Sequence, residues 1–347
     1  MKRSFDQELW DFQRELKSGK LQCTACPRLC QLIDNEVGWC GARVRRGIKV
    51  EPRTYGLIHG RLAEDPIEKK PLYHFYPGKK ILSFGSYGCN LGCLHCQNWH
   101  ISMQKEKSDI SKLIKISPEE IVNECLARKM TLIASTYNEP MIAFEYVRDI
   151  ANLAHDHNIK MVVVDNGYIT RKLAEALASH IDAANIDIKG FSSEFYKEIC
   201  GSPSWKPVLR TCEIFYKHGV HLELTNLVIP TKNDSDSMIR EMCEWISENL
   251  SPLIPLHFSA FRPDYKLNSL PHTPIKTLEK AIRIANDVGL KYVYIGNVSG
   301  HKGNHTYCHN CEKLIIKRER YNTSVINLRG ASCSSCGTKL PIIVANE

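Results

Sequence analysis

The sequence lacks long hydrophobic runs, and this absence argues against a membrane protein. None of the apolar segments in its 347 residues reaches the length of a membrane-spanning helix. Residues 1–6 are charged and lead into an amphipathic stretch, unlike a secretory signal peptide. We therefore expect a cytoplasmic protein with no membrane partner. A chain of this length buries a sizeable core, and two to three domains are expected.

Charge of one sign is not concentrated in the sequence either. The formal net charge is +8, which is modest for this length. Two small basic clusters are Arg43, Arg45, Arg46 and Lys49, and Lys317, Arg318 and Arg320. Neither has the interleaved aromatic residues of a nucleic-acid-binding surface, so both are interpreted as solvated faces. The sequence therefore does not indicate a nucleic-acid partner.

Cysteine, in contrast, is abundant. Fifteen cysteines would suggest disulfides in a secreted protein, but a reducing compartment favours metal binding. Eleven of them fall into three clusters. The other four, which we interpret as core or surface residues, are Cys125, Cys200, Cys212 and Cys243. The three clusters therefore define the candidate metal sites.

The central cluster has the spacing CxxxCxxC and comprises Cys89, Cys93 and Cys96. Three thiolates on one short loop hold three irons of a [4Fe–4S] cube and leave the fourth iron without a protein ligand. Such an open iron is suited to chelating a small molecule. A structural zinc would require four closed ligands, which this pattern does not supply. We interpret His95, inside the motif, as a ring that packs beside the cluster.

The amino-terminal cluster consists of Cys23, Cys26, Cys30 and Cys40. Four thiols this close in sequence predict a closed metal site. Either zinc or a second iron–sulfur cluster suits the ligands, because their softness does not separate the two metals. The sequence leaves both open, and we expect zinc by a slight margin.

The carboxyl-terminal cluster consists of two CxxC pairs, Cys308 with Cys311 and Cys333 with Cys336. Two such pairs separated by a short β-rich stretch are typical of a zinc ribbon. Gly337 supplies the turn that these knuckles need. Four cysteines leave no open coordination position, so we expect a structural zinc.

Between the terminal clusters, short apolar segments alternate with amphipathic ones. Strands are predicted at 81–84, 131–135, 160–164, 183–188, 220–228, 256–260 and 292–295. Helices are predicted from 117 and at 140–157, 170–179, 192–218, 235–249 and 274–287. This alternation predicts a parallel sheet built from six βα units. A doubly wound open sheet is the alternative to a curled arrangement of the six units.

Polar residues lie at or just after the carboxyl ends of the second to fifth predicted strands, where parallel sheets bind ligands, and the sixth strand carries a histidine. They are Glu139, Asn166, Asp187, Lys189, Asn226 and His257, in strand order. A carboxylate and an ammonium two residues apart on a strand end, as in Asp187 and Lys189, face the same side and suit a zwitterionic ligand. The sequence therefore predicts one ligand site beside the CxxxCxxC loop.

The loop and these strand ends together resemble the radical S-adenosylmethionine (SAM) superfamily, and in particular its glycyl-radical activases. The resemblance covers residues 80–260. It implies a partial (β/α)6 barrel, a [4Fe–4S] cluster and SAM bound to the open iron. It also implies that one electron from the reduced cluster cleaves SAM to methionine and a 5′-deoxyadenosyl radical.

The same resemblance implies roles for residues after the second strand. Tyr137, Asn138 and Glu139 stand where the superfamily has Gly-Gly-Glu, the segment that binds the SAM ammonium. Glu139 is retained, whereas the two glycines are replaced. The replacement leaves the backbone conformation of this segment open.

Residues after later strands also match activase motifs. Asp187 and Lys189 match the Asp-x-Lys motif that contacts SAM. Asn166 lies in a segment near the activases' Thr-Asn-Gly, and His257 in one like their Pro-Tyr-His, whose histidine lies near the adenosine. The resemblance thus assigns SAM binding to all of these residues.

A closer resemblance spans nearly the whole chain. Segments 65–75, 96–99, 261–267 and 292–298 are similar to the radical SAM enzyme of the AmmeMemoRadiSam system, which is itself similar to pyruvate formate-lyase activating enzymes. It implies association with Memo-like and AMMECR-like proteins, and no established substrate. The expected domains are a four-cysteine metal-binding region with its lead-in at 1–78, the barrel at 79–300 and a zinc-ribbon-like module at 301–347.

These resemblances predict a radical SAM enzyme that takes hydrogen from a protein partner and receives electrons from a flavodoxin or ferredoxin type of donor. The first alternative is modification of a small metabolite or an RNA base. An alternative of another class is a non-catalytic iron–sulfur or electron-transfer protein.

Overall fold

The computed structural model describes residues 11–103 and 107–344. The strands of this part of the chain are β1 Gln13–Glu15, β2 Leu21–Cys23, β3 Gln31–Leu32, β4 Arg43–Arg46, β5 Lys49–Pro52, β6 Leu57–Ile58, β7 Ala63–Pro66, β8 Lys80–Phe84, β9 Ile114–Lys115, β10 Leu132–Ser135, β11 Lys160–Asp165, β12 Ala183–Asp187, β13 His221–Val228, β14 Leu256–Ala260, β15 Val293–Gly296, β16 Thr306–Tyr307, β17 Leu314–Glu319, β18 Asn322–Val325, β19 Leu328–Arg329 and β20 Ser332–Cys333.

The α-helices of the same part are α1 Trp99–Ser102, α2 Pro118–Ala127, α3 Phe144–Asp156, α4 Arg171–Ala178, α5 Ser193–Ile199, α6 Lys206–Lys217, α7 Asp236–Asn249 and α8 Ile275–Val288. Short 3₁₀ turns lie at Ile67–Lys69, Lys107–Lys112, Pro140–Ala143 and Lys302–Asn304. None of the helices in the described residues is both long and apolar enough to cross a bilayer.

The predicted alternation of strands and helices is confirmed, with one difference of interest. The predicted helix at 140–157 begins instead with the 3₁₀ turn Pro140–Ala143 and becomes α-helical only at Phe144. The Glu139 carboxylate accepts a hydrogen bond from the Met141 amide, 2.9 Å away, and so caps this turn. Glu139 is thereby fixed at the end of β10, which the sequence pattern did not predict.

The chain divides into two units. Unit 1 comprises Met1–Ala63, Leu82–Ala184 and Lys206–Val220. In it β8 and β11 both pair with β10 in parallel. Side chains on β10 and β11 are buried on both faces of the sheet, as parallel strands require. Helix α2 packs against α3, and α4 packs against α6.

Unit 2 comprises Glu64–Ile81, Asn185–Trp205 and His221–Glu347. In it β13 and β15 both pair with β14 in parallel, and α7 packs against α8. The antiparallel strands β16, β17 and β18 carry a small core in which cysteines pack with isoleucine and leucine. Neither unit is continuous in the chain, and the division expected at residues 78 and 300 stays a prediction.

The two basic clusters are not wholly solvated, so that interpretation was wrong for one residue in each. The Arg43 side chain is only 3% exposed and pairs with Glu145 through two hydrogen bonds of 2.8 and 2.9 Å. Arg318 is 1% exposed and donates to the Tyr73 carbonyl at 2.6 Å and the Thr306 hydroxyl at 2.8 Å. Both guanidinium groups are therefore structural.

Arg318 generates a prediction about stability within unit 2. Its guanidinium also stacks on the Tyr73 ring at 4.1 Å and lies 3.8 Å from the buried Glu68. Replacing Arg318→Met should lower the free energy of unfolding by about 3 kcal/mol, because it leaves the buried Glu68 without a nearby positive charge and the Tyr73 and Thr306 oxygens without their donor. The neighbouring Lys317→Met should change it by less than about 0.5 kcal/mol, since Lys317 is exposed. Urea unfolding under anaerobic conditions measures both, and equal losses for the two variants would contradict this role.

Candidate active site and metal-binding cysteines

The CxxxCxxC loop follows β8 and begins at a position that only glycine fills. Gly88 has φ +92°, and a Cβ there would lie 2.2 Å from the Cys40 carbonyl oxygen. The next residue, Cys89, donates its backbone N–H to that same carbonyl at 3.1 Å. The loop is thus held directly against the amino-terminal cysteine segment.

Cys89 lies in a hydrogen-bonded pocket of unit 1. Its Sγ accepts from the Leu91 amide at 3.4 Å and from Asn166 Nδ2 at 3.6 Å. Burial raises the pKa of the Cys89 thiol well above its ordinary value. A thiolate at this position therefore needs a cation beside it, as a bound metal cluster would supply.

In the segment after β10, a residue other than glycine has a backbone conformation that glycine favours. Tyr137, which stands at a glycine position of the resembled motif, has φ +74°. Asn138 accepts from the Ser86 amide at 2.8 Å and donates to the Gly88 carbonyl at 3.0 Å. Tyr137 thus adopts the left-handed backbone conformation that glycine favours, and Asn138 ties this segment to the residues just before the cysteine loop.

Glu139 and Asn166 lie together in unit 1. The Glu139 Oε2 accepts from the Asn166 amide at 2.9 Å, while Oε1 caps the 3₁₀ turn. The Asn166 side chain donates to Asn90 Oδ1 at 2.8 Å, and Asn90 in turn donates to the Tyr168 carbonyl at 2.7 Å. Asn90 is fully buried, and the sequence reasoning did not select it.

Asp187 and Lys189 lie at the end of β12 in unit 2, and their side chains form an ion pair. Asn233 donates to the Lys189 carbonyl at 2.7 Å, and the Lys189 amide donates to the Tyr196 hydroxyl at 3.1 Å. The Lys189 side chain is 16% exposed and that of Asp187 is 29% exposed. The backbone of Lys189 is thus held by two hydrogen bonds, while both side chains of the ion pair remain partly exposed.

His257 is more deeply buried than its predicted role requires. It is 1% exposed, its Nε2 lies 2.7 Å from the Glu223 carboxylate, and its ring stacks on Tyr294 with the centroids 5.1 Å apart. Glu223 also accepts from the Tyr73 and His74 amides at 3.0 and 2.7 Å. Contact of His257 with the adenosine of SAM stays a prediction.

Glu223 is the residue of unit 2 that the sequence reasoning missed. Burial alone would raise the pKa of its carboxyl, but hydrogen bonds from His221 and His257 lower it below its ordinary value. A signal was available, since Glu223 is the only acidic residue of β13 and stands between two leucines. It positions His257 and the chain at Tyr73.

The two terminal cysteine clusters differ in geometry. At the carboxyl-terminal cluster, the sulfurs of Cys308 and Cys336 lie 3.6 Å apart, and those of Cys311 and Cys333 lie 3.7 Å apart. The amino-terminal cysteines line one narrow cavity; they are Cys23, Cys26, Cys30 and Cys40. The thiols of both clusters are free of disulfides.

Comparison with known proteins identifies the family to which the segment with the central cysteine loop belongs. The family model of the radical SAM superfamily matches residues 84–246, from β8 into α7. The chain belongs to the radical SAM superfamily. Its mixed α/β fold with parallel strands is the radical SAM fold.

Two relatives and one solved structure illustrate the extent of the similarity. Over 335 residues the chain is 42% identical to an uncharacterized protein of Methanocaldococcus jannaschii, covering 96% of this chain and 98% of that protein. A second uncharacterized protein of that organism is 22% identical over 217 residues, or 60% of this chain and 62% of that protein. Streptococcus suis SuiB bound to its precursor peptide SuiA is 14% identical with a TM-score of 0.50, covering 67% of this chain and 52% of that chain, and this likeness concerns the fold.

Membership of the radical SAM superfamily implies a [4Fe–4S] cluster and SAM, and the central cysteine loop fits such a cluster. The three sulfurs of this loop do not all lie within 4.8 Å of one another, unlike the four sulfurs of the carboxyl-terminal cluster. Cysteine thiolates are the ligands that hold [4Fe–4S] clusters in proteins. Residue roles in this site, and the closer resemblance to the AmmeMemoRadiSam enzyme, stay predictions.

Asn166 generates a prediction about the cluster's reduction potential. Hydrogen bonds to cysteine sulfurs stabilise the reduced, more negative state of an iron–sulfur cluster. Replacing Asn166→Ala removes the donor to Cys89 and should lower the potential without loss of iron. The exposed Asn123→Ala serves as the control and should leave the potential unchanged. A redox titration followed by electron paramagnetic resonance (EPR) measures this, and an unaltered potential in Asn166→Ala would refute the assignment.

Proposed function

We propose that this radical SAM enzyme takes a hydrogen atom from a partner polypeptide, in the manner of the glycyl-radical activases. The observation that carries the SAM site is the chain of contacts in unit 1. The Asn166 side chain donates a hydrogen bond to the Cys89 sulfur, and the Asn166 backbone amide donates one to the Glu139 carboxylate. These are three of the positions at which the superfamily resemblance predicted cluster and SAM ligands.

Cys89, Cys93 and Cys96 would hold the catalytic [4Fe–4S] cluster. When bound and reduced, this cluster supplies the electron that cleaves SAM to methionine and a 5′-deoxyadenosyl radical. The residues of the chain bind and orient the substrate. We assign the electron supply to a flavodoxin or ferredoxin type of donor.

Glu139 is suited to receive the SAM ammonium. Each of its carboxylate oxygens accepts one backbone N–H, which fixes the carboxylate in place. A carboxylate oxygen has two lone pairs and can accept more than one hydrogen bond. The Asp187–Lys189 pair supplies one charge of each sign for the amino and carboxylate groups of the methionine part.

A protein substrate is favoured by the activase-like Asp187 and Lys189 and by the additional cysteine-rich segments at both ends of the chain. A 5′-deoxyadenosyl radical must be kept from water, and an inserted peptide closes a site as it binds. We propose a Memo-like or AMMECR-like protein, or a protein that they recruit, as the partner.

The carboxyl-terminal cluster would hold a structural zinc. Zinc–sulfur bonds of about 2.3 Å in a tetrahedron place the sulfurs roughly 3.8 Å apart. The pairs at 3.6 and 3.7 Å match that spacing. Three of the four cysteines, Cys308, Cys311 and Cys333, also pack in the small core that includes residues of β17, so zinc would stabilise this segment.

Replacing Glu139→Gln, Asp187→Asn or Lys189→Met should weaken SAM binding by about 10- to 100-fold, because each removes a charge-assisted hydrogen bond worth about 1.5–3 kcal/mol. Equilibrium binding of SAM to the reconstituted protein measures this, with iron content determined in parallel. The exposed Lys232→Met is the matched control and should bind SAM normally. A parallel loss of iron in the variants would assign these residues to folding instead.

The choice of substrate is tested by isotope transfer. Deuterated candidate partner proteins, incubated anaerobically with reduced enzyme and SAM, should transfer deuterium into 5′-deoxyadenosine. The Cys93→Ala variant should transfer none, which controls for exchange. Label that arrives only from a deuterated metabolite or RNA fraction would refute the protein substrate and favour that alternative. No 5′-deoxyadenosine from any source would favour a non-catalytic protein.

A further inference from the structure

The amino-terminal four-cysteine site has the wrong spacing for zinc. Among the residues that the structure describes, the Cys308 set is the only group of three or more cysteine, histidine or acidic ligand atoms that all lie within 4.8 Å of one another. No three of the four amino-terminal sulfurs are therefore that close together. The same protein thus contains one cluster with the spacing of a zinc tetrathiolate and one without it.

An iron–sulfur cube requires the wider spacing. Four thiolates that each bind a different iron of a [4Fe–4S] cube stand about 6 Å apart, because the cube lies between them. The three sulfurs of the radical SAM loop, which the structure describes, likewise do not all lie within 4.8 Å of one another. The amino-terminal site therefore resembles the iron–sulfur site of this chain rather than its ribbon.

The amino-terminal sulfurs surround a common space. Cys23, Cys26, Cys30 and Cys40 line the same narrow cavity in unit 1. Arg28 and Arg43 line it as well, so positive charge faces the thiolates. Arg28 thus lies beside the amino-terminal cysteines.

The two loops are joined by short polar contacts. The Cys89 amide donates to the Cys40 carbonyl at 3.1 Å, so a ligand of one site is hydrogen-bonded through its backbone to a ligand of the other. Arg28 Nε donates to the carbonyl of Asn90, which also lines the amino-terminal cavity. These contacts connect the two cysteine sites through a single hydrogen bond and a few covalent bonds.

We propose that Cys23, Cys26, Cys30 and Cys40 hold a second [4Fe–4S] cluster, which exchanges single electrons with the catalytic cluster across the Cys40–Cys89 hydrogen bond. A one-electron protein donor reduces the second cluster, which is reoxidised as the same electron reduces the catalytic one. No other reactant is needed. The identity of the metal at this site does not depend on the proposed function. The electron exchange, in contrast, rests on the proposed function.

Metal analysis of the full-length protein tests the identity of the second cluster. The triple variant Cys89→Ala, Cys93→Ala, Cys96→Ala, reconstituted anaerobically, should retain about four irons and a reducible cluster. The double variant Cys26→Ser, Cys30→Ser should retain about four irons at the catalytic loop, and the wild type about eight. Each of these proteins should contain about one zinc, lost only in Cys311→Ser, Cys336→Ser.

A triple variant with no iron and two zincs per chain would overturn the proposal. Circular dichroism of each variant excludes unfolding as the cause of metal loss. The wild-type zinc content gives an independent answer, because two zincs per chain would contradict a second cluster even if a variant fails to fold. This measurement does not depend on SAM cleavage, so it separates this proposal from the proposed function.

EPR of the fully reduced protein tests the electron exchange. Two reduced clusters joined through Cys40 and Cys89 should interact magnetically, so the wild-type spectrum should be broadened or split. The two single-cluster variants should lose that interaction. A wild-type spectrum equal to the sum of the two variant spectra would contradict the exchange.

Discussion

The hydrogen bond from the Cys89 amide to the Cys40 carbonyl organises the candidate active site of unit 1. It forms only because Gly88 carries no side chain, since a Cβ would lie 2.2 Å from that carbonyl. The catalytic loop is therefore fixed against the amino-terminal cysteine segment by contacts of the chain itself. Asn138, which is hydrogen-bonded to Ser86 and Gly88 just before the loop, extends the same constraint to the segment after β10.

Unit 2 depends on a different constraint, a carboxylate buried with its donors. Glu223 accepts from two backbone amides and two histidines, which is how a charge is retained in an apolar interior. His74, which lies in one of the segments it fixes, has a pKa lowered to about 3 by burial, so its ring is neutral. The neighbouring Arg318 supplies the compensating positive charge for Glu68. The strand ends of this unit are thus held by a rigid polar core.

Much of this arrangement is predictable from the sequence, because it depends on local pattern. Apolar runs indicated the strands, and the serine and glutamate at the start of α2 form the capping box that such a pair predicts. The positive φ of Tyr137 was not predictable, since the residue type disfavours it and only the surrounding contacts enforce it. The burial of Arg43 and Arg318 was missed because their partners lie 102 and 245 residues away in the chain. The distances between the sulfurs within each terminal cluster, which distinguish the two clusters, likewise depend on the fold and could not be predicted from the sequence.

The central claim is that Cys89, Cys93 and Cys96 build a cluster that cleaves SAM. The direct measurement is anaerobic incubation of reduced wild-type protein with SAM, followed by quantification of 5′-deoxyadenosine and methionine. We expect equal amounts of both products from the wild type and none from Cys89→Ala, Cys93→Ala or Cys96→Ala. Absence of 5′-deoxyadenosine from a wild-type protein with its cluster intact, under any reductant, would contradict the account.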